Sequence, residues 1–197
     1  MDTYRTSAHE AQVEIKIERS RFIGRARPVE SEAEAKTFIA QVSQEHRQAT
    51  HNAWAYRVDP ERDIRFASDA GEPSGTAGEP ILRALLSRDL TQTAVVVTRY
   101  FGGKKLGVRG LIDAYGGTAG AALDAAGQVD KVITRRLSLR VAYPHLDRCL
   151  YWLGRLGGTV VASAYGEEAQ LTVALPRSQV ETFCAQVGKY AEIKGEV

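Results

Sequence analysis

Ala94-Val95-Val96-Val97-Thr98 runs directly into Arg99-Tyr100-Phe101-Gly102-Gly103-Lys104-Lys105-Leu106-Gly107-Val108-Arg109-Gly110, and small residues then dominate as far as Ala126. The first five residues form an apolar, β-branched run without a charge. Such a run has no polar side to offer water, so it reads as a buried strand at the centre of a sheet. The glycine-rich stretch after it reads as a loop. A helix is predicted over 111–126, where Leu111, Tyr115, Ala119 and Ala122 share one face. Small side chains on that face let the helix lie close against a sheet. Strand, loop and long packing helix together point to helices covering a sheet.

The upstream residues extend that sheet. Val13-Glu14-Ile15-Lys16-Ile17-Glu18 alternates apolar and charged positions, as a half-buried strand does, and residues 20–29, with Phe22 and Ile23, form its hairpin partner. Ser31 and Glu34 make a capping box. Ala35, Phe38, Ile39 and Val42 then follow at helical spacing, and the helix fades near His46. Residues 52–58 and 64–68 read as strands around Asp59-Pro60-Glu61-Arg62. The stretch Asp69-Ala70-Gly71-Glu72-Pro73-Ser74-Gly75-Thr76-Ala77-Gly78-Glu79-Pro80 is too rich in glycine and proline for either regular element. Pro80 opens a short helix through Leu86.

Residues 127–131 mark a boundary, after which the pattern restarts. Residues 137–141 alternate as a strand, Leu146, Leu150 and Leu153 mark a helix ended by Gly157-Gly158, and residues 159–164 and 169–175 are strands. Val180, Phe183, Cys184 and Val187 mark a second helix, and residues 191–197 form an edge strand. The order β-α-β-β-α-β suits a ferredoxin-like unit. The expected fold class is therefore α+β in two domains, residues 1–130 and 134–197.

Composition narrows the function classes. The chain has 197 residues, 44% hydrophobic and 25% charged, which is too apolar for a disordered chain. No apolar run approaches the roughly 20 residues that cross a bilayer, so no membrane partner is expected. Net charge is +2, from 26 basic and 24 acidic residues, so any nucleic-acid footprint must be local rather than global. Cys149 and Cys184 cannot make a disulfide framework and read as small buried hydrophobes. The first seven residues carry no apolar signal region, and the expected location is cytoplasmic.

Both glycine-rich loops precede helices, whose free N–H groups favour anions. Neither carries a P-loop or dinucleotide fingerprint. The second loop gathers Arg99, Lys104, Lys105 and Arg109 without a carboxylate, with Tyr100 and Phe101 interleaved. Cations on flexible backbone can track phosphates, and exposed aromatics can stack on bases. Against this stands a solvated loop whose two rings tuck into the core. The first loop is acidic, with Asp69, Glu72 and Glu79, and is expected to pack against the second and neutralise it. His46 and His51 could join Asp69 or Glu72 in a metal site or an acid–base pair. Ordered ligand spacing is missing, so structural histidines are expected, with no metal and no cofactor. Ser74 and Thr76 lack a nucleophile elbow.

At these loops the sequence resembles a known family. Ser20-Arg21-Phe22-Ile23, Ala49-Thr50-His51-Asn52-Ala53-Trp54-Ala55-Tyr56, Gly71-Glu72-Pro73-Ser74-Gly75-Thr76-Ala77-Gly78 and Thr98-Arg99-Tyr100-Phe101-Gly102-Gly103 resemble the IMPACT family, whose bacterial members are the YigZ-type proteins. Lys105-Leu106-Gly107 and Ala114-Tyr115-Gly116-Gly117 continue the match. The resemblance implies an N-terminal domain like the second domain of the fifth small-subunit ribosomal protein, a fold shared with domain IV of elongation factor G. It also implies a ferredoxin-like C-terminal domain similar to domain V of that factor. This pairing suggests RNA or ribosome contact by analogy of fold. Eukaryotic relatives regulate translation in the amino-acid starvation response through protein–protein contact, with an additional N-terminal domain not found in this sequence. The resemblance supplies no catalytic residue.

Three departures stand out. Ala53 replaces the family's usual cysteine, which removes thiol chemistry at that position. Asp69-Ala70-Gly71-Glu72-Pro73 stands where Asp-Asp-Gly-Glu-Pro is typical, so one carboxylate is shifted or lost, which weakens a two-carboxylate metal site. Leu106-Gly107-Val108-Arg109-Gly110-Leu111 stands where Leu-Gly-Thr-Gly-Gly-Leu is typical. Arg109 adds a cation at a helix N-terminus, unfavourable by about 0.3–1 kcal/mol unless an anion binds there. The expectation is a non-enzymatic RNA- or ribosome-associated binding protein that regulates translation. Arg99, Lys104, Lys105 and Arg109 would contact phosphates and Tyr100 or Phe101 would stack. The motif glycines Gly71, Gly75, Gly78, Gly102, Gly103 and Gly107, with Asp69, Glu72, Pro73 and Thr76, would shape the loops. The alternatives are a protein-interaction module of the stress response, and a hydrolase or metal-dependent enzyme using the His51, Asp69 and Glu72 region.

Overall fold

Strand β6 (Thr93–Tyr100) is buried along almost its whole length and lies in the middle of a five-stranded sheet. The computed structural model describes residues 2–196. They form two compact units, one of residues 4–131 and the other of residues 132–196 with residues 2 and 3. In the first unit β6 pairs antiparallel with β3 (Ser20–Pro28) on one side and β4 (His51–Val58) on the other. Strands β2 (Ala11–Ile17) and β5 (Ile64–Ser68) close the edges in the order β2-β3-β6-β4-β5.

The two faces of β6 feed separate cores, because successive side chains of a strand point to opposite sides. Ala94 and Val96 pack with Phe38, Val42 and Tyr56 under α1 (Glu32–Glu45). Val95 and Val97 pack with Phe22, Ile81 and Leu123 under α2 (Gly78–Leu86) and α3 (Gly107–Ala126). The Ser31 half of the capping box forms, its hydroxyl accepting from the Glu34 amide at 3.2 Å, while the Glu34 carboxylate reaches one residue further back and accepts from the Glu30 amide at 2.8 Å. Small residues bring α3 onto β3 so closely that a Cβ on Gly24 would stand 2.8 Å from the Thr118 carbonyl.

Both loop-to-helix transitions come earlier than the sequence suggests. Helix α2 begins at Gly78 rather than Pro80, and α3 at Gly107 rather than Leu111. Glycine in a helix costs only about 1 kcal/mol relative to alanine, and the residues that follow carry the turn. A second difference concerns β1 (Thr3–Ser7) and β7 (Gln128–Val132), which pair as a two-stranded ribbon. The expected boundary stretch is thus mostly strand. The exposed residues of β7 give no alternation to read; beside the backbone pairing, Arg5 of β1 donates to Asp130 of β7 at 3.1 Å, and the Ser7 amide of β1 donates to the Thr93 hydroxyl of β6 at 3.2 Å.

The second unit is a ferredoxin-like sandwich. Strands β8 (Thr134–Val141), β9 (Thr159–Tyr165), β10 (Ala169–Pro176) and β11 (Ala191–Glu196) are ordered β11-β8-β10-β9, all antiparallel. Helices α4 (Tyr143–Arg155) and α5 (Val180–Val187) contribute Leu153, Phe183 and Val187 to a core with Leu139, Leu171 and Val173. Cys149 is buried there and Cys184 half-buried, and burial raises both thiols above their ordinary range. Among the described residues, no helix is long and apolar enough to cross a membrane.

Candidate functional site

The end of β6 delivers Arg99 to the α2/α3 side of the sheet. Its Nη1 donates to Glu72 Oε1 at 2.6 Å, and its Nη2 lies 3.4 Å from the Ser20 hydroxyl. Only 6% of the Arg99 side chain and 4% of that of Glu72 remain exposed. Tyr115, from α3, donates its hydroxyl to the same Glu72 oxygen at 2.7 Å. Burial first, and then the Glu72 carboxylate, push the Tyr115 phenol far above its ordinary range, so it stays a neutral donor. One carboxylate oxygen is thus saturated by two donors.

The first residue of β4, His51, joins this group. Its Nδ1 lies 2.9 Å from the Ala70 carbonyl, and its Nε2 lies 3.8 Å from Glu72 Oε2. A cavity of about 460 Å³ is lined by His51, Glu72 and Arg99 together with Pro73, Phe101, Leu106, Leu111 and Lys105. Its lining thus combines the buried Arg99–Glu72 pair, apolar side chains and one exposed lysine.

Asp69 does not face this cavity chemistry. Its Oδ1 accepts from the amides of Ala77 at 2.9 Å and Gly78 at 2.8 Å, and its Oδ2 from Gly75 at 2.9 Å. It caps α2 from a distance, since the N-cap residue Ala77 has no side chain to do so. Burial opposes its charge, but the three backbone donors outweigh burial and hold its carboxyl below the ordinary value of 3.8. Thr76 donates its hydroxyl to the Pro73 carbonyl at 2.6 Å. Gly71, Gly75, Gly103 and Gly107 carry positive φ. Gly78 and Gly102 serve close approach instead, to the backbone of Ser68 and of Arg19 respectively.

The cation cluster expected from the sequence is dispersed. Arg99 is not a surface cation: strand alternation turns it inward, onto Glu72. Lys104 pairs with Glu18 at 2.7 Å, and Arg109, almost fully exposed, lies 3.8 Å from Asp113. Lys105 alone of the four lines the cavity while remaining exposed. The two aromatics also separate. Tyr100 points to the α1 side, where its hydroxyl meets His46 Nδ1 at 3.0 Å and the Arg21 guanidinium stands 4.4 Å from its ring centre. Phe101 stays on the cavity side, 45% exposed, with the Arg99 guanidinium 5.3 Å from its ring centre. His46 and His51 therefore belong to different surroundings. Among the described residues no three His, Cys, Asp or Glu side chains cluster as a metal site.

Tyr115 and Leu111 read from sequence as packing residues of α3, and the site adds to that role. The one available signal was that a buried tyrosine needs a partner for its hydroxyl.

These features define a class: a two-domain α+β protein whose first unit holds a buried arginine–carboxylate–tyrosine cluster next to a cavity, followed by a ferredoxin-like unit. Residues 18–123 match the Impact N-terminal domain, and residues 139–188 match a domain of unknown function, DUF1949. The chain is 42% identical, over 79% of its length and 69% of the relative's, to the IMPACT family member YvyE of Bacillus subtilis (strain 168). It is 34% identical, over 97% of its length and 95% of the relative's, to the IMPACT family member YigZ of Escherichia coli (strain K12). A crystal structure described as that of a hypothetical protein superposes with a TM-score of 0.73 at 32% identity, covering 98% of this chain and 97% of that one. The chain belongs to the IMPACT family.

Proposed function

We propose that this chain is a non-enzymatic RNA- or ribosome-contacting protein of the cytoplasm with a role in regulating translation. The observation that carries this reading is that an exposed aromatic, Phe101, and an exposed cation, Lys105, line one cavity. Lys104 and Arg109 flank it, and their partners do not disqualify them. An exposed ion pair is worth about 0–1 kcal/mol, so either cation can exchange its carboxylate for a phosphate. Arg99 takes a different role from the one expected, since its charge is spent on Glu72. Catalysis through His51, Asp69 and Glu72 is less well supported, because the Asp69 carboxylate is committed to three backbone amides.

Fluorescence anisotropy of a short structured RNA across salt concentration tests the reading. Log K should fall linearly with log salt, and Lys104→Ala/Lys105→Ala should flatten the slope by about 2, one unit for each phosphate contact. Salt-independent binding, or none at low salt, rejects it.

A further inference from the structure

We propose that the cavity lined by Arg99, Glu72 and the start of α3 binds a phosphate that keeps a proton: free hydrogenphosphate, or the end phosphate of a monoester. Such a site does not depend on contact with RNA.

Arg99 has a donor to spare. A guanidinium donates from each of its nitrogens and accepts at none. Its Nη1 donates to Glu72, and its Nη2 lies 3.4 Å from the Ser20 hydroxyl. Nε is buried and has no hydrogen-bond partner among the described residues. Only 6% of this side chain is exposed, and Arg99 lines the cavity. A buried donor without a partner is rare in folded proteins and calls for an acceptor from outside the chain. The ion pair with Glu72 balances the charge of Arg99 without using that N–H.

The start of α3 adds donors to the same cavity. Gly107 and Val108 line it, and the first amides of a helix have no partner within the helix. Leu106, at the N-cap, makes no side-chain capping bond, and the first turn carries no acidic residue. The positive end of a 20-residue helix therefore lies here without a carboxylate of its own. Lys105 precedes that N-cap and also lines the cavity. With Arg99 and Glu72 balancing each other, Lys105 and the helix end leave the lining positive.

Glu72 selects among anions. Its Oε1 is taken by Arg99 and Tyr115, and its Oε2 stands 3.8 Å from His51 Nε2, beyond hydrogen-bond reach. A free carboxylate oxygen repels a bare anionic oxygen but accepts from a hydroxyl. Hydrogenphosphate brings both kinds: bare oxygens for Arg99, Lys105 and the α3 amides, and a P–OH for Glu72. Sulfate has no proton to give at neutral pH. His51 can meet either kind of oxygen, as donor or acceptor according to its own proton, so the selection does not turn on its state.

Titration calorimetry of the full chain with inorganic phosphate, and with sulfate at matched ionic strength, reads the site. Phosphate should bind once per chain. Sulfate should bind about tenfold more weakly or worse, because it sets a bare oxygen against Glu72 Oε2. Phosphate should also shift the Arg99 Nε–H signal and the Gly107 and Val108 amide signals together in nitrogen–proton correlation spectra. Lys105→Ala, an exposed change that spares the fold, should weaken phosphate by about threefold. Glu72→Gln should close the gap between phosphate and sulfate, and where that variant fails to fold, Lys105→Ala and the spectra carry the test. At a pH of about 6 a monoester keeps its proton on roughly half of its molecules. An end-phosphorylated tetranucleotide and glycerol phosphate, compared there with inorganic phosphate, tell the sources apart by which binds most tightly. Equal binding of phosphate and sulfate, an unmoved Arg99 Nε–H signal, or no binding of phosphate would overturn the site and leave the RNA reading untouched.

Discussion

Arg99 and Glu72, 27 positions apart in the chain, meet at 2.6 Å with almost no exposure to solvent. Neither can be removed alone without stranding the other's charge, and the strand end, the acidic loop and α3 all converge on the pair. Glu72→Ala should destabilise the chain by about 3–5 kcal/mol, the cost of breaking a buried ion pair on one side. Glu72→Gln, which keeps an acceptor for Arg99 and Tyr115, should cost less. Urea melts followed by circular dichroism give the comparison.

Asp69 should make the N-terminal unit sensitive to acid. Its carboxyl titrates below 3.8 in the fold, so the stabilisation it supplies is complete above that ordinary value. It disappears as pH falls through the lower, folded value. Asp69→Asn should cost about 2 kcal/mol at neutral pH through weakened capping of α2. The gap between the two proteins in pH-dependent melts should close as the solution is acidified below 3.8.

Ala70 sits at φ +48°, a left-handed conformation that is costly for a residue with a Cβ. Ala70→Gly should therefore raise stability by about 0.5–1 kcal/mol, after the added freedom of the unfolded chain is deducted. An unchanged or lower melting temperature for Ala70→Gly would contradict this account.

Two glycines should respond in opposite directions. Gly117 lies inside α3, and a Cβ there would meet nothing within 4 Å. Gly117→Ala should stabilise by about 0.5–1 kcal/mol through helix propensity alone. A Cβ on Gly102 would run into the Arg19 carbonyl. Gly102→Ala should cost about 3 kcal/mol by forcing the β2–β3 turn away. Thermal denaturation of the two variants side by side reads both signs.

The elements visible in the sequence were those whose periodicity survives burial. The alternation of β2, the capped face of α1 and the apolar run of β6 each state their environment locally. Strands β1 and β7 were silent, because β7 is exposed along its whole length and presents no buried apolar face. At the site, the motif loops were legible as a pair, and Glu72 does reach across to Arg99. The roles within them were not. Whether Arg99 meets solvent or core depends on which face of β6 it occupies, and whether Tyr100 and Phe101 act together depends on the same parity. Parity becomes decisive only once the sheet has helices on both sides. Asp69 as a distant cap could not be read either, since its three amide partners lie six to nine residues on, beyond the local spacing of an N-cap.

Strand β6 is covered on both faces, and Arg99, near its end, lines the cavity. That side of the cavity is therefore continuous with the most protected part of the domain, whose amides should exchange only when the whole unit unfolds. Groups held in this way are ordered before anything approaches them, so contact with them would spend little ordering entropy.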